Sequence, residues 1–169
     1  PGPDDGRRLS HLLGWLHFPL LGLSVWAVAQ GGPLWSSALL VIAAGLFFGQ
    51  ISNSNAHELI HRRDRGAFRL GAAVYTSLLF GHHTSAHRLV HHVHAATPLD
   101  PASAPGGRGF WAYLPRAWVG GFRAGLRAER QRAGGQMWPA PYRAYILGAF
   151  CSLMAAYTLG GVRGLAALL

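Results

Sequence analysis

Lysine is absent from this chain of 169 residues: its fifteen basic side chains are all arginine, set against only six acidic ones. Charged residues make up 12% of the sequence and hydrophobic residues 50%, a balance too apolar for an ordinary soluble domain. The one cysteine, Cys151, rules out an intrachain disulfide. Internal repeats and low-complexity runs are missing too, which sets aside solenoid architectures. The net charge of +9 would suit a nucleic-acid binder if the arginines formed a polar surface interleaved with aromatic residues. They follow instead the ends of the apolar blocks, so nucleic acid is not an expected partner.

Those blocks are the main positive signal. Residues 12–29, 34–51 and 145–159 are almost wholly apolar, and residues 70–81 form a shorter block. About 18 residues as helix span roughly 27 Å, close to the thickness of a bilayer core. The sequence therefore predicts an all-α, polytopic helical membrane protein with spans near 12–29, 34–51 and 144–161. Two alternatives fare worse. Core helices of a soluble bundle rarely run this long, and a signal peptide ending near Ala27-Val28-Ala29 would have a shorter apolar stretch. Arg7 and Arg8 precede the first span, the turn Gln30-Gly31-Gly32-Pro33 is uncharged, and Arg62, Arg63, Arg65 and Arg69 follow the second. By the positive-inside rule both ends of this hairpin face the cytoplasm. The 70–81 block is too short to cross and is expected to pack beside or dip into the inner leaflet. The segment "HHTSAHRLVHHVH", residues 82–94, then emerges on the side that carries His57 and His61.

From residue 110 to 132, a period of 100° per residue gathers Trp111, Leu114, Trp118, Phe122 and Leu126 on one face. Arg116, Arg123, Arg127 and Arg130 fall on the adjoining flank. This predicts a helix lying in the membrane interface, its arginines toward anionic lipid or water. A helix packed on the protein's own core with a solvated basic flank fits the pattern equally well. Pro115 is expected to kink it or end its first turn. The chain begins with Pro1 rather than Met and stops at Leu169 within an apolar stretch, so the sequence is expected to be a fragment of a longer polypeptide whose domain continues further.

Eight of the ten histidines lie between residues 57 and 94. Near a membrane such a cluster is costly unless it binds something or faces water. In "NSNAHELIHRRD", residues 53–64, His57 and His61 are one helical turn apart, as are His87 and His91, with His92 turned by about 100° from His91. His57, Glu58 and His61 also match the H-E-x-x-H pattern of zinc proteases, with Glu58 as general base. A catalytic zinc takes three protein ligands, so five spaced imidazoles are a surplus for one zinc and suit a two-metal site. In that site Glu58 would orient a ligand by accepting an imidazole N–H, and Asp100 could do likewise or serve as a turn residue between Pro98 and Pro101. His83, with His82 and His94, falls outside the ligand spacing and reads as a supporting or interfacial residue. His11 and His17 read as interfacial or packing residues.

The stretches "NAHELIHRRD", "GHHTSAHRLVHHVHAATPLDPASA" and "GFWAYLPRAWVGGFRAGLRAE" closely resemble the membrane-bound alkane monooxygenases, within the fatty-acid-desaturase-like superfamily of histidine-rich diiron enzymes. The resemblance covers roughly residues 50–132. It implies a six-span membrane protein of the bacterial inner membrane, with two non-haem irons held on the cytoplasmic side by nine histidines. It also implies that O2 is a co-substrate, that a terminal C–H bond of a medium-chain alkane or fatty acyl compound is hydroxylated, and that rubredoxin or a similar small iron protein donates electrons. By position His57 and His61 match the first histidine motif and His87, His91 and His92 the second. The family's later His-Tyr-Gly and H-x-x-H-H motifs are not in this sequence. Ala86 stands where members usually have Glu, and Val90 where Gly is common. The arginine flank, Arg116 to Arg130, is a candidate docking surface for an acidic electron donor. Alternatives are a lipid desaturase on the same scaffold, an intramembrane zinc protease and a non-catalytic metal-binding fragment.

Overall fold

A computed structural model describes residues 3–169, with side chains from residue 5 onward. Among them there is no strand: the chain is α1 (Pro3–Ala29), α2 (Leu34–Phe47), a π-turn (Phe48–Ser52), α3 (Asn53–Ile60), α4 (Arg65–Ser77), α5 (His83–Ala86), a second π-turn (His87–His91), α6 (His92–His94), α7 (Phe110–Arg132) and α8 (Ala140–Leu168). Among the described residues, three helical stretches are long and apolar enough to cross a membrane: Asp5–Ala29, Leu34–Ile60 and Ala140–Leu168. The protein is thus an all-α polytopic membrane protein. The second stretch runs past Ile51, through the first π-turn, and carries His57 and His61 on its continuation.

The chain divides into two compact units, one formed by the sequence through Leu79 together with Gly148–Leu169, the other by Phe80–Leu147. In the first unit α1 and α2 form a hairpin whose turn needs Gly31, at φ +80°, a left-handed conformation that suits glycine. Added bulk at Gly31 would also meet the Arg163 guanidinium, while Gly160 lies against Ala29. The far end of α8 and the α1–α2 turn therefore share one face of this unit. At Gly160 and Gly161 the helical dihedrals break. Gly164 then packs against Ala156 and Val25, so the last residues double back beside the helix they left.

The short 70–81 block becomes α4, whose 13 residues cover only about 20 Å. Asp64 caps its first turn, accepting the Ala67 N–H at 2.7 Å, and the amides of Ala67 and Gly66 hold the exposed Asp64 carboxyl below its ordinary pKa. Ala67, Leu70, Gly71 and Val74 are buried, and α4 lies along α3 and α1. Leu59, Ala67 and Leu70 form the core of this junction, with Phe18 against it. His17 fastens α1 to α4: the Ser77 hydroxyl donates to the Val74 carbonyl, so its oxygen accepts from His17 Nε2–H at 2.8 Å. His17 is 1% exposed, a packing histidine.

Gly71 is where α4 meets α3 most closely. A Cβ there would lie 2.8 Å from the Ala56 carbonyl oxygen and 2.8 Å from Leu59 Cβ, and the first of these is backbone that cannot swing aside. Gly71→Ala is expected to destabilise the protein by about 1–3 kcal/mol. The check is a lower thermal midpoint in detergent, with Gly106→Ala, which has nothing within 4 Å of its added methyl, left unchanged.

Candidate metal centre

Each unit supplies one group of histidines. In the first, His57 and His61 lie one turn apart at the end of α3, their ring centroids separated by 4.7 Å and both side chains exposed. The segment is pinned by its polar asparagines. Ser10 Oγ donates to Asn55 Oδ1 at 2.7 Å, Asn55 Nδ2 returns a bond to the Ser10 carbonyl at 2.9 Å, and Tyr75 OH donates to the Asn53 carbonyl. The π-turn before it, where the Asn53 N–H reaches back five residues to the Phe48 carbonyl, inserts one extra residue into the helix. One residue is about 100° of rotation, so this turn sets which way the histidines point. Glu58 accepts from Arg62 Nη2 at 2.9 Å. Its carboxylate is engaged by that exposed i,i+4 pair.

In the second unit the histidine segment contains its own π-turn, closed by the His92 N–H on the His87 carbonyl five residues back. Regular α-helical spacing predicts His87 beside His91, with His92 turned aside. The widened turn also brings residues five apart together, and His87 Nε2 and His92 Nε2 lie 2.9 Å from each other. His87 and His91 stack with ring centroids 5.2 Å apart. His91 Nδ1–H donates to Asp100 Oδ2 at 2.7 Å, a tautomer fixed by the acceptor-only carboxylate, which leaves Nε2 as the ring's donor lone pair.

Asp100 is 1% exposed and also receives Ser103 Oγ–H at 2.6 Å and the Ala102 N–H at 3.0 Å. Burial alone would raise its pKa, but the hydrogen bonds from Ser103, His91 and Ala102 outweigh it, and the carboxyl sits below its ordinary value. Beside these residues is a cavity of about 30 Å³, lined in part by Phe80, His83, His87, His91 and Asp100, enough for about one or two waters.

The donor set fits a metal. Metal–imidazole bonds of about 2.0–2.1 Å would let two nitrogens about 3 Å apart share one ion, and His87 Nε2 and His92 Nε2 are 2.9 Å apart. At that distance one Nε2–H donates to the lone pair of the other Nε2, and with that proton gone both lone pairs are free to share an ion. Imidazole suits iron, zinc, copper and nickel alike, so the set is compatible with iron without selecting it.

The other histidines do different work. His82 is buried between Phe80, Trp118 and Phe122, donating to the Trp118 carbonyl, and burial lowers its pKa to about 4. It is a neutral packing residue. His83 stacks on Phe80 and His87. The His94 carbonyl accepts the Thr97 N–H and hydroxyl in the following turn, and His11 bonds the Arg7 carbonyl.

α7 runs without interruption through Pro115. Its apolar face is divided: Trp118 and Phe122 pack on the histidine segment, whereas Trp111 is 81% exposed and Phe110 and Leu114 are open. A Cβ at Gly125 would lie 3.0 Å from the Ala86 amide nitrogen and 2.6 Å from Tyr142 OH. α5 and α7 are in direct backbone contact there, and Ala86 is 9% exposed. On the basic flank Arg123 and Arg127 are exposed. Arg130 donates to the Met137 carbonyl at 2.7 Å and stacks over Trp138.

A group that sequence reading missed joins three helices here: Ser85 Oγ donates to Glu129 Oε1 at 2.7 Å and lies 3.0 Å from Tyr145 OH. These residues are separated by 44 and 60 positions and match no motif. Sequence carried no signal for them.

A family model described as fatty acid desaturase matches residues 33–169. Among curated proteins, alkane 1-monooxygenase 1 of Pseudomonas aeruginosa is 27% identical over 77% of this chain and 38% of its own length. Alkane 1-monooxygenase of Ectopseudomonas oleovorans is 30% identical over 78% of this chain and 34% of its own, and that of Acinetobacter baylyi 35% identical over 56% and 23%. The chain spans between about a quarter and two-fifths of the length of these relatives.

Proposed function

The chain belongs to the fatty acid desaturase family, and from that premise we propose that it carries part of a non-haem diiron centre. The centre hydroxylates terminal C–H bonds of medium-chain alkanes or fatty acyl compounds with O2. An iron-based cofactor follows from the family, and the relatives named above are alkane 1-monooxygenases. The observation that supports the site is the convergence of His87 and His92 nitrogens beside an His91 oriented by a buried carboxylate. In this reading His57, His61, His87, His91 and His92 are iron ligands.

The iron supplies what side chains cannot, activation of dioxygen against a C–H bond that has no useful pKa. The residues of this chain do the rest. Asp100 keeps the proton of His91 on Nδ1, and the stacked, buried ring of His87 holds its nitrogen in place. Spans α1, α2 and α8 admit a lipid-soluble substrate from the bilayer while offering water little to bind.

Metal analysis of the full-length protein tests the proposal: two irons per chain and O2-dependent release of a primary alcohol are expected. A double bond in the product would identify a desaturase, and one zinc with peptide cleavage would overturn the proposal. The centre is proposed to lie on the cytoplasmic side of a bacterial inner membrane; the arginine distribution supports the cytoplasmic side. Labelling of single cysteines at 57 and 91, in a background with Cys151 replaced by Ser, should find both on that side.

The electron donor is proposed to be rubredoxin or a similar acidic iron protein, docking on the flank that carries Arg123 and Arg127 and, partly exposed, Arg116 and Arg130. The open aromatic end of α7 is proposed to sit among lipid headgroups. Charge reversal of Arg123 and Arg127 together is expected to slow electron transfer about tenfold at low salt and to flatten its dependence on ionic strength. Stopped-flow reduction of the enzyme measures both.

A further inference from the structure

The hydrogen bonds around Ser85 have a fixed direction. The serine has one hydroxyl proton, and at 2.7 Å from a carboxylate that can only accept, it donates to Glu129. Tyr145 OH, 3.0 Å away, must then donate to the serine oxygen. The order Tyr145 to Ser85 to Glu129 leaves no proton misplaced. Ser85 is 3% exposed, so losing either partner would strand a buried polar group.

The position of Ser85 gives this cluster its consequence. It precedes His87 by two residues, about 200° round the helix. Fastening Ser85 to α7 and to the start of α8 therefore sets the rotation of the histidine segment about its own axis. Ala86 packs closely against Gly125, and His82 lies five residues before His87, in an aromatic box at the start of the segment; the Ser85 hydrogen bonds add a directional restraint to these contacts.

We propose that Glu129 is a positioning residue of the metal centre: acting through Ser85, it fixes the rotation at which the histidine segment presents the His87–His92 pair, a pair that the π-turn itself creates. The inference rests on the reading of these histidines as iron ligands. It assigns to a carboxylate on α7 a part in metal binding that no histidine spacing signals.

The test uses the full-length protein, loaded with iron and, in parallel, with cobalt(II), whose visible bands report ligand geometry. Glu129→Ala and Ser85→Ala are expected to weaken iron binding about 10–100-fold, the range typical for partners behind the ligands, and to alter the cobalt bands. Glu129→Gln, whose amide oxygen can still accept from Ser85, is expected to retain most of the affinity and the wild-type bands. Wild-type affinity and bands in Glu129→Ala and Ser85→Ala would overturn the proposal. So would a Glu129→Gln loss equal to that of Glu129→Ala, since it would show that charge and not position matters. If the wild-type protein binds iron but hydroxylates nothing, the proposed reaction fails and the positioning role stands; if it binds no iron, the ligand reading fails first.

Discussion

Replacing His87 by alanine in the full-length enzyme is expected to abolish alkane hydroxylation, a loss of at least about a thousandfold, with iron content falling in parallel. Losses of 10–100-fold are typical when a partner behind a ligand is removed, and a ligand itself should cost more. His92→Ala should match it, because the two nitrogens face each other at 2.9 Å and neither can hold an ion alone. His94→Ala is the control. That residue lies in the same run, but its observed hydrogen bonds use its backbone carbonyl, so activity within about twofold of wild type is expected. Turnover and metal content measured on the same preparations separate the outcomes. Retained iron in His87→Ala would remove that residue from the centre.

The second large effect concerns Asp100. Asp100→Ala deprives His91 Nδ1–H, the Ser103 hydroxyl and the Ala102 amide of their shared acceptor. Iron affinity is expected to drop about 10–100-fold as the His91 ring loses its orientation, and the loop that follows should lose roughly 2–4 kcal/mol of local stability. Asp100→Asn keeps an acceptor oxygen for one donor and should be milder, near tenfold. The pH behaviour follows from the sign of the shift. The folded-state pKa lies below the unfolded one, so the carboxylate's contribution is complete above the ordinary aspartate range. It is lost only as pH falls through the depressed value. Asp100 should therefore add no pH dependence to iron binding near neutrality, and metal titration from pH 6 to 8 tests this.

The spans, the amphipathic α7 and the too-short α4 were legible in sequence because each rests on composition and period, which a single chain displays. Buried partners were less so. The Asp100 bond was open to two readings until the turn through Ser103 placed its carboxylate beside His91. Arg130 reads as part of a continuous basic flank, yet the loop after α7 folds back and engages its guanidinium. Glu58 reads as a partner for a histidine, and its carboxylate also meets Arg62 one helical turn away. The divided face of α7 was foreseeable only as a choice, since the same stripe of Trp and Phe serves a membrane or a core. The Ser85 cluster joins residues far apart in sequence and had no local pattern to betray it.

Both π-turns lie within or just before the histidine segments, and the second creates the His87–His92 pairing that an α-helix would not. A synthetic dodecapeptide copying residues 83–94 would relax to ordinary winding and offer its imidazoles four apart, a different chelate from the one in the protein. Grafting that stretch onto an unrelated helical scaffold would therefore transplant the letters without the bite angle. Deleting one residue between 88 and 90 should do similar harm inside the protein, with every histidine still present.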